Sequence, residues 1–370
     1  IEHKTRRLYR STAMDSVVER LLTQWLAPLV EPQLSPRLYS YRPGFSASRA
    51  IRELGAYVRA HRRATPDVRQ RGLWVLRRDI ARYGDSIPVE PCSAIWPRIE
   101  RALEPVPPAL AGIARGLLGQ MLRRHCREGD RELCLVVGTP TGSPIQPLIN
   151  NLYLAGLDRA MAELDGFYAR FGDDMLFATP SPVVAQQAAR LLERQLDALA
   201  LRLNPHKRCD LYLTAAARPA DRPGWQPRAK VDFLGVAVAF RGGVSLGRSK
   251  WRHLLRLLRR RLKRGATMLA GHPPEPAAAA LARLIRRSFD PADPLCLPYA
   301  DLLAQVVDDR EQLHDLDELL CRQLAQLCSG QRGVRAFRQL PPRRLHQLGL
   351  LSLVARRNRE RHRSAADARR

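Results

Sequence analysis

The chain has 370 residues, of which 45% are hydrophobic, enough to bury a sizeable core and to form two or three substructures. Lys and Arg number 62 against 36 Asp and Glu, a formal net charge of +26. So large an excess predicts a polyanionic partner, because basic side chains that neutralise phosphates release counterions. Nucleic acid is favoured over an anionic membrane surface, and no apolar run approaches the roughly 20 residues of a membrane span.

Seven cysteines occur without a CxxC pair or a Cys/His cluster, which argues against a zinc site and a disulfide framework. Their number and spacing are typical of reduced thiols in a cytosolic protein. The sequence begins at Ile1 rather than Met, so we expect that an N-terminal portion precedes it in the natural protein.

The first elements in chain order are two helices and a buried strand. Apolar side chains at helical spacing predict a helix from Met14 to Val30, with Asp15 or Ser16 as its cap. A second helix is expected from Ser46 to His61. The apolar run LWVL then predicts a short strand that ends at Asp79.

Later segments alternate strands with helices as far as residue 246. The predicted elements are a strand CLVVGTP (134–140), a long helix (146–164), a strand–turn–strand unit FYARFGDDMLFAT (167–179), an amphipathic helix (184–203) and a strand pair (231–246). Only helical patterns follow, including one near 276–289 and one near 299–327, before a basic tail that predicts disorder. The expected fold class is α+β with an antiparallel hairpin.

Three aspartates lie at the ends of the predicted strands: Asp79 after the first strand, and Asp173 with Asp174 in the hairpin turn. Three carboxylates within a few ångströms repel one another unless a cation compensates, and magnesium prefers such hard oxygen ligands. Two ions held there could activate an attacking hydroxyl and stabilise a leaving pyrophosphate, which is nucleotidyl transfer. Taken alone, the pair could be an ordinary hairpin tip, and Asp79 could cap a helix or pair with a neighbouring arginine.

In this order and spacing, the motifs resemble those of reverse transcriptases, most closely the bacterial group II intron type. The segments that carry the resemblance are WVLRRDIARYGDSIP (74–88), GTPTGSPIQPLINNLYLAGLD (138–158), RFGDDMLFA (170–178), LRLNPHKRCDLY (201–212) and VDFLGVAVAF (231–240), with LYSYRPGFSASRAI (38–51) and, more loosely, RRLYRSTAMDSVV (6–18) upstream. The resemblance covers about residues 6 to 245.

The resemblance implies a right-hand polymerase with fingers, palm and thumb. The fingers would comprise residues 1–69, and the palm residues 70–245 with a fingers insertion at about 89–137. A helical thumb would follow at 246–354, and the tail 355–370 would be disordered.

The resemblance also assigns roles to individual residues. Asp79 and Asp173, with the carbonyl of Ile80 and less directly Asp174, would hold two magnesium ions, with manganese as an alternative, and Lys207 would act near the pyrophosphate as a general acid. The residues expected to bind the nucleotide are Ile80, Tyr83, Gly84, Pro140, Thr141, Gly142 and Arg6, with Lys4 as a further triphosphate candidate. The residues expected to hold the primer or track the duplex are Phe233, Leu234, Gly235, Arg252, Arg256, Arg259 and Arg260.

The sequence departs from the family pattern in three motifs. Thr141 replaces the glutamine of the Pro-Gln-Gly loop, and Phe171 with Gly172 replaces the first two residues of the Tyr-X-Asp-Asp turn. Gly84 stands where the family has a bulky aromatic that excludes the 2′-hydroxyl of ribonucleotides. The hypothesis is that sugar selection is relaxed or is performed by Tyr83.

Three functions are therefore compatible with the sequence. The leading one is an RNA-directed DNA polymerase that uses dNTPs on an RNA template and primer duplex. The others are an RNA-synthesising polymerase of the same fold and a non-catalytic RNA-binding protein of the maturase kind. The resemblance also suggests a bacterial cytoplasmic protein, a domesticated or phage-defence role, and a dedicated non-coding RNA as a further partner.

Overall fold

The computed structural model describes residues 9–67, 70–123, 125–128, 131–134, 136–215 and 224–359, with backbone only for 125–128 and 131–134. The chain forms two compact units. The first contains residues 1–50 and 60–229, and the second contains residues 51–59 and 230–370. The boundary after residue 229 lies earlier than the palm–thumb boundary that the sequence suggested, and the assignment of fingers, palm and thumb stays a prediction.

The first unit is built around a five-stranded sheet. Its strands are β1 (Leu73–Asp79), β4 (Phe167–Phe171), β5 (Asp174–Thr179), β6 (Cys209–Leu213) and β7 (Gln226–Arg228), and a separate two-stranded hairpin consists of β2 (His125–Glu128) and β3 (Arg131–Cys134). The strand order in the sheet is β4-β5-β1-β6-β7. The central strand β1 pairs antiparallel with both β5 and β6, and β7 adds a parallel edge beside β6.

Helices cover this sheet and close the core of the first unit. Alternation along the strands turns Leu76, Met175 and Phe177 to one face, where they pack with buried helix residues such as Leu26 and Leu152. The helices are α1 (Ala13–Val30), α2 (Ala47–Ala64, shared by both units), α3 (Tyr83–Ser86), α4 (Ile95–Leu103), α5 (Pro108–Leu122), α6 (Gln146–Tyr153), α7 (Ala155–Ala162) and α8 (Pro182–Ala198).

The second unit combines a small sheet with a helical bundle. Strands β8 (Lys230–Phe233), β9 (Val236–Ala239) and β10 (Val244–Leu246) form an antiparallel meander. The following helices are α9 (Arg248–Met268), α10 (Pro274–Ser288), α11 (Ala300–Gln305), α12 (Arg310–Ser329), α13 (Val334–Gln339) and α14 (Pro342–Gln347). Their buried leucines and isoleucines form the core of this unit.

The prediction of an α+β fold with an antiparallel hairpin is confirmed, but several details differ. The side chain of Thr12, not Asp15 or Ser16, caps α1 by accepting from the N–H of Asp15. The long helix expected at 146–164 breaks at Leu154 into α6 and α7. In the segment CLVVGTP, β3 ends at Cys134, and Val137 makes only an isolated bridge to Pro88.

Two C-terminal expectations were also wrong. The helix expected at 299–327 is interrupted between α11 and α12, where Asp309 begins a new helix by accepting from the N–H of Gln312. The tail expected to be disordered starts as a helix, because residues 353–359 are helical and Leu353 is buried. The remainder, 360–370, lies outside the described residues. Across the described ranges, no helix has the length and apolar character needed to cross a bilayer.

A fully buried ion pair ties α7 to β4. The carboxylate of Asp158 accepts from Nε of Arg170 at 2.7 Å and from Nη2 at 2.6 Å, and both side chains are 0% exposed. The hydroxyl of Tyr168 donates to the same carboxylate at 2.8 Å. Because removing one partner leaves an uncompensated buried charge, such a pair is sensitive to single substitutions.

We expect Arg170→Met to lower the free energy of unfolding by about 3–5 kcal/mol, because Asp158 is then left charged in the core. Urea denaturation followed by circular dichroism measures the change. Arg115→Met is the matched control: its bidentate partner Glu100 is exposed, and solvent replaces the lost contacts at little cost. Equal effects of the two substitutions would contradict the prediction.

Candidate active site

The three aspartates converge at one edge of the five-stranded sheet. Asp79, the last residue of β1, lies directly opposite Asp174, the first residue of β5. Asp173 precedes it in the turn, and the carbonyl of Asp173 accepts from the N–H of Ile80 at 3.3 Å. Residues almost a hundred positions apart in sequence are therefore neighbours, as the sequence predicted.

Arg170, a partner in the buried ion pair with Asp158, also hydrogen-bonds the turn that carries Asp173. Gly172 has φ 63, in the left-handed region that favours glycine. Its carbonyl accepts from Nη1 of Arg170 at 3.0 Å, and its N–H donates to Oγ of Ser40 at 3.0 Å. The Ser40 hydroxyl in turn donates to the side chain of buried Asn151 at 3.2 Å. The turn is thus fixed by hydrogen bonds on both sides of Gly172.

Asp79 is buried and paired. Its Oδ2 accepts from Nζ of Lys207 at 2.5 Å, and its Oδ1 accepts from Nδ2 of Asn204 at 3.3 Å. The N–H of Asn204 also donates to the carbonyl of Asp79 at 2.8 Å. The short helical turn Pro205–Lys207 therefore presents Lys207 to the first aspartate, which is compatible with the role that the resemblance assigns to it.

The two aspartates of the turn have different surroundings. Asp174 accepts from Nη2 of Arg77 at 3.4 Å, the diagonal neighbour on the same sheet face. Burial raises the pKa of Asp173, and the nearby carboxylates of Asp79 and Asp174 raise it further, although Lys207 acts in the opposite direction. The edge of the sheet is therefore a place of concentrated negative charge that a cation would relieve.

The described residues contain no group of three carboxylate, histidine or cysteine side chains arranged to hold a metal ion. Asp79 is paired with Lys207, and Asp174 is paired with Arg77. The donor set nevertheless suits magnesium, because Asp79 and Asp173 supply hard carboxylate oxygens to one cavity and repel each other without a counter-charge.

That cavity has a volume of about 940 Å³ and lies wholly within the first unit. Its lining brings together six of the residues that the sequence predicted for the site. They are Asp79, Ile80, Tyr83, Gly84, Thr141 and Asp173.

Other predicted residues of the first unit have positions that limit their roles. Pro140 is buried, and Gly142 is exposed at φ 107, where a Cβ would lie 3.0 Å from the carbonyl of Tyr9. Gly142 therefore permits a close approach of the chain's own backbone. The N–H of Tyr9 donates to the carbonyl of Thr141 at 2.8 Å, so the N-terminal segment reaches the cavity. The predictions for Arg6 and Lys4 lie outside the described residues.

In the second unit, the predicted primer-holding residues form the β8–β9 turn. Leu234 and Gly235 have φ 50 and φ 81, and Nζ of Lys250 donates to the carbonyl of Leu234 at 3.0 Å. A leucine in this region is disfavoured by about 1–2 kcal/mol, which a buried or functional constraint must offset. Phe233 is fully buried and Leu234 and Gly235 are half-buried, so in the predicted primer-holding hairpin Phe233 packs in the core while the turn itself faces outward, and the primer role stays a prediction.

The predicted basic face of α9 is present. Leu254, Leu258 and Leu262 are buried along one side of the helix. The four predicted arginines are exposed on the other side, and none of them forms an ion pair with a carboxylate of the described chain: Arg252, Arg256, Arg259 and Arg260. Uncompensated guanidinium groups in a row suit a polyanion.

Three residues near the cavity were missed by the sequence reasoning. Arg82 is 76% exposed, has φ 49 and is the single basic residue among the described residues that line the cavity. Gln146 and Asn150 line it from α6. For Gln146 and Asn150 the available signal was their spacing of four residues, which places both side chains on one face of a helix.

Comparison with known proteins places the chain in a family. The profile described as "Reverse transcriptase (RNA-dependent DNA polymerase)" matches residues 2–238. Because this match covers more than half of the chain, the protein belongs to the reverse transcriptase family, and the right-hand polymerase fold class is confirmed. A search of the curated proteins found no match.

Solved structures similar to the chain include fungal telomerases. A telomerase from Candida albicans, solved with a TWJ fragment of telomeric RNA, has a TM-score of 0.49 at 13% identity, covering 90% of this chain and 55% of that one. An apo telomerase from Candida tropicalis has a TM-score of 0.49 at 12% identity, covering 90% of this chain and 61% of that one. The chain therefore spans about half the length of these structures.

We expect Asp173→Asn to raise the urea midpoint of unfolding in EDTA. Because the pKa of Asp173 is raised in the folded state, its carboxylate form is less stable there than in the unfolded state. At pH 7 the neutral amide of asparagine removes this destabilising charge. Asp174→Asn is the adjacent control, because it replaces the ion pair with Arg77 by a weaker neutral hydrogen bond, and this loss lowers the midpoint. A loss of stability in Asp173→Asn as large as in Asp174→Asn would contradict the electrostatic account.

Proposed function

We propose that the chain is a template-directed nucleotidyltransferase that extends a primer on an RNA template. The observation that carries this proposal is the cavity that Asp79 and Asp173 share with Gly84 and Thr141. Membership of the reverse transcriptase family supports RNA as the template and a nucleoside triphosphate as the substrate.

The proposed metal ligands are Asp79, Asp173 and the carbonyl of Ile80, with Asp174 in a supporting position. Two divalent ions, magnesium or manganese, would neutralise phosphate charge and favour deprotonation of the attacking hydroxyl. Nζ of Lys207 lies 2.5 Å from Oδ2 of Asp79, and the Lys207 side chain is 46% exposed. In this proposal its ammonium is accessible to a bound nucleotide and donates a proton to the leaving pyrophosphate.

Arg82 is the proposed anchor for the triphosphate. Arg82 has a left-handed backbone conformation, and among the residues that the structure describes its guanidinium has one ion-pair partner, Asp85 at 3.8 Å. The carboxylates of Asp79, Asp85 and Asp173 line the same cavity. Because they repel a triphosphate, a cation is needed to offset the combined negative charge. A guanidinium matches phosphate oxygens in geometry and charge.

Asp79→Asn and Asp173→Asn should each reduce primer extension by about 100- to 1,000-fold, a range typical of removing one preorganised electrostatic group. The assay is extension of a labelled primer on an RNA template with magnesium, alongside binding of the same duplex by filter retention. Duplex binding should persist in both variants. Asp197→Asn, on the exposed face of α8, is the control.

The same pair of measurements separates catalysis from a purely RNA-binding function. If the unmodified chain binds the duplex tightly but adds no nucleotide with either magnesium or manganese, the polymerase proposal fails and the maturase-like alternative gains support.

Arg82→Gly should raise the KM for the nucleotide about tenfold or more, in line with the loss of a hydrogen bond to a charged group. Glycine suits the left-handed φ at this position, so the backbone is retained while the guanidinium is removed. Steady-state extension with varied nucleotide measures the effect, with Arg194→Ala on α8 as the exposed control. An unchanged KM would remove Arg82 from the substrate site.

Several finer assignments belong with this proposal. The order of motifs supports a relative of the bacterial group II intron enzymes that acts in the cytoplasm, and a domesticated or antiviral role together with a dedicated non-coding RNA remains a prediction. Sequencing the nucleic acid that co-purifies with the chain tests all of these. The exposed arginines of α9, with Leu234 and Gly235, are the proposed contacts with the primer–template duplex.

A further inference from the structure

The wall of the cavity beside Gly84 is made of polar side chains. A Cβ built on Gly84 would lie 2.9 Å from Nε2 of Gln146, and 3.5 Å from both Nδ2 of Asn150 and Oγ1 of Thr139. Gly84 has an ordinary φ, so the backbone conformation does not require glycine there. The missing side chain instead leaves the Gln146 amide facing the space that a residue at 84 would fill.

These polar groups form a connected network. Nε2 of Gln146 donates to Oγ1 of Thr141 at 3.2 Å and, more weakly, to Oγ1 of Thr139 at 3.4 Å. The Thr139 hydroxyl lies 2.9 Å from Oδ1 of Asn150 and 3.1 Å from the carbonyl of Gly84. The network holds Gln146 at the cavity surface and uses both hydrogens of its Nε2, so the half-buried amide keeps its carbonyl oxygen, Oε1, as the acceptor for a hydroxyl of a bound molecule.

Tyr83, the residue that the sequence analysis suggested for sugar selection, already packs and hydrogen-bonds within the protein. It is 6% exposed and packs in the core of the first unit. Its hydroxyl donates to the backbone carbonyl of Asn150, and burial raises its pKa, so the neutral phenol is retained as a donor. A ring held in this way forms part of the wall but does not project as a barrier.

We propose that Gln146 binds the 2′-hydroxyl of the incoming nucleotide, so that this site accepts ribonucleoside triphosphates at least as well as deoxyribonucleoside triphosphates. The inference rests on the proposed nucleotidyl transfer function. A 2′-hydroxyl both donates and accepts, as the amide of Gln146 does. A site built to hydrogen-bond a hydroxyl disfavours the analogue that lacks it, because the polar group is then left without its partner.

Equilibrium binding of ATP and dATP tests the assignment. The chain is saturated, in the presence of magnesium, with an RNA template and a chain-terminated primer. The next template base pairs with adenine, and the dissociation constants of ATP and dATP are then compared. We expect ATP to bind at least as tightly as dATP. Gln146→Met keeps the length of the side chain but removes the amide, and should shift the ratio about tenfold towards dATP, as expected for loss of one hydrogen bond.

Two further variants sharpen the result. Gly84→Ala adds a Cβ that displaces the Gln146 amide, so it should shift the ratio in the same direction. Gln187→Met, on the exposed face of α8, is the matched control and should leave the ratio unchanged. A merely structural role of Gln146 would weaken both nucleotides equally and would not move the ratio.

The inference and the proposed function fail in different ways. Tighter binding of dATP than of ATP by the unmodified chain, or a ratio that Gln146→Met leaves unchanged, overturns the role of Gln146, and so does the absence of binding of either nucleotide. Primer extension with either nucleotide, scored separately, decides the polymerase proposal. Extension with dATP alone would leave that proposal standing while overturning the sugar assignment.

Discussion

The geometry of the candidate site depends on the buried contact between Arg170 and Asp158. The guanidinium uses one edge for the carboxylate and a remaining nitrogen for the carbonyl of Gly172, so the core of the first unit and the acidic turn share one side chain. An ion pair without solvent has little freedom to rearrange, because each charge needs the other's hydrogen bonds. The position of Asp173 is thereby set by the packing of α7 against β4.

Next to this ion pair, the carboxylates of Asp79, Asp173 and Asp174 lie close together at the edge of the sheet, and their repulsion lowers the stability of the fold. Lys207 and Arg77 offset part of the repulsion by pairing with Asp79 and Asp174, while Asp173 keeps a raised pKa and faces the cavity. Strained or destabilised arrangements of this kind persist where function requires them. The left-handed backbone of Arg82 on the same cavity is a second instance.

The lining of the cavity combines two kinds of polar group. Asp79 and Asp173 supply carboxylates that suit a metal ion, and Gln146 and Asn150 supply amides beside Gly84. A glycine at position 84 does more than remove bulk, since it gives access to amides that a larger residue would cover. Selectivity by a hydrogen bond and selectivity by steric exclusion have opposite consequences for ribose, and the contact that we propose between Gln146 and the 2′-hydroxyl is of the former kind.

The sequence by itself determined β1, the β4–β5 hairpin and the order of Asp79, Asp173 and Asp174, because apolar runs and turn residues act locally. It could not determine that Asp158 would neutralise Arg170, that Phe233 would be buried, or that Gln146 would lie beside Gly84. Those facts depend on which side chains meet after strands and helices pack. Contacts between residues distant in the chain carry no periodic signal, so only the tertiary structure decided them.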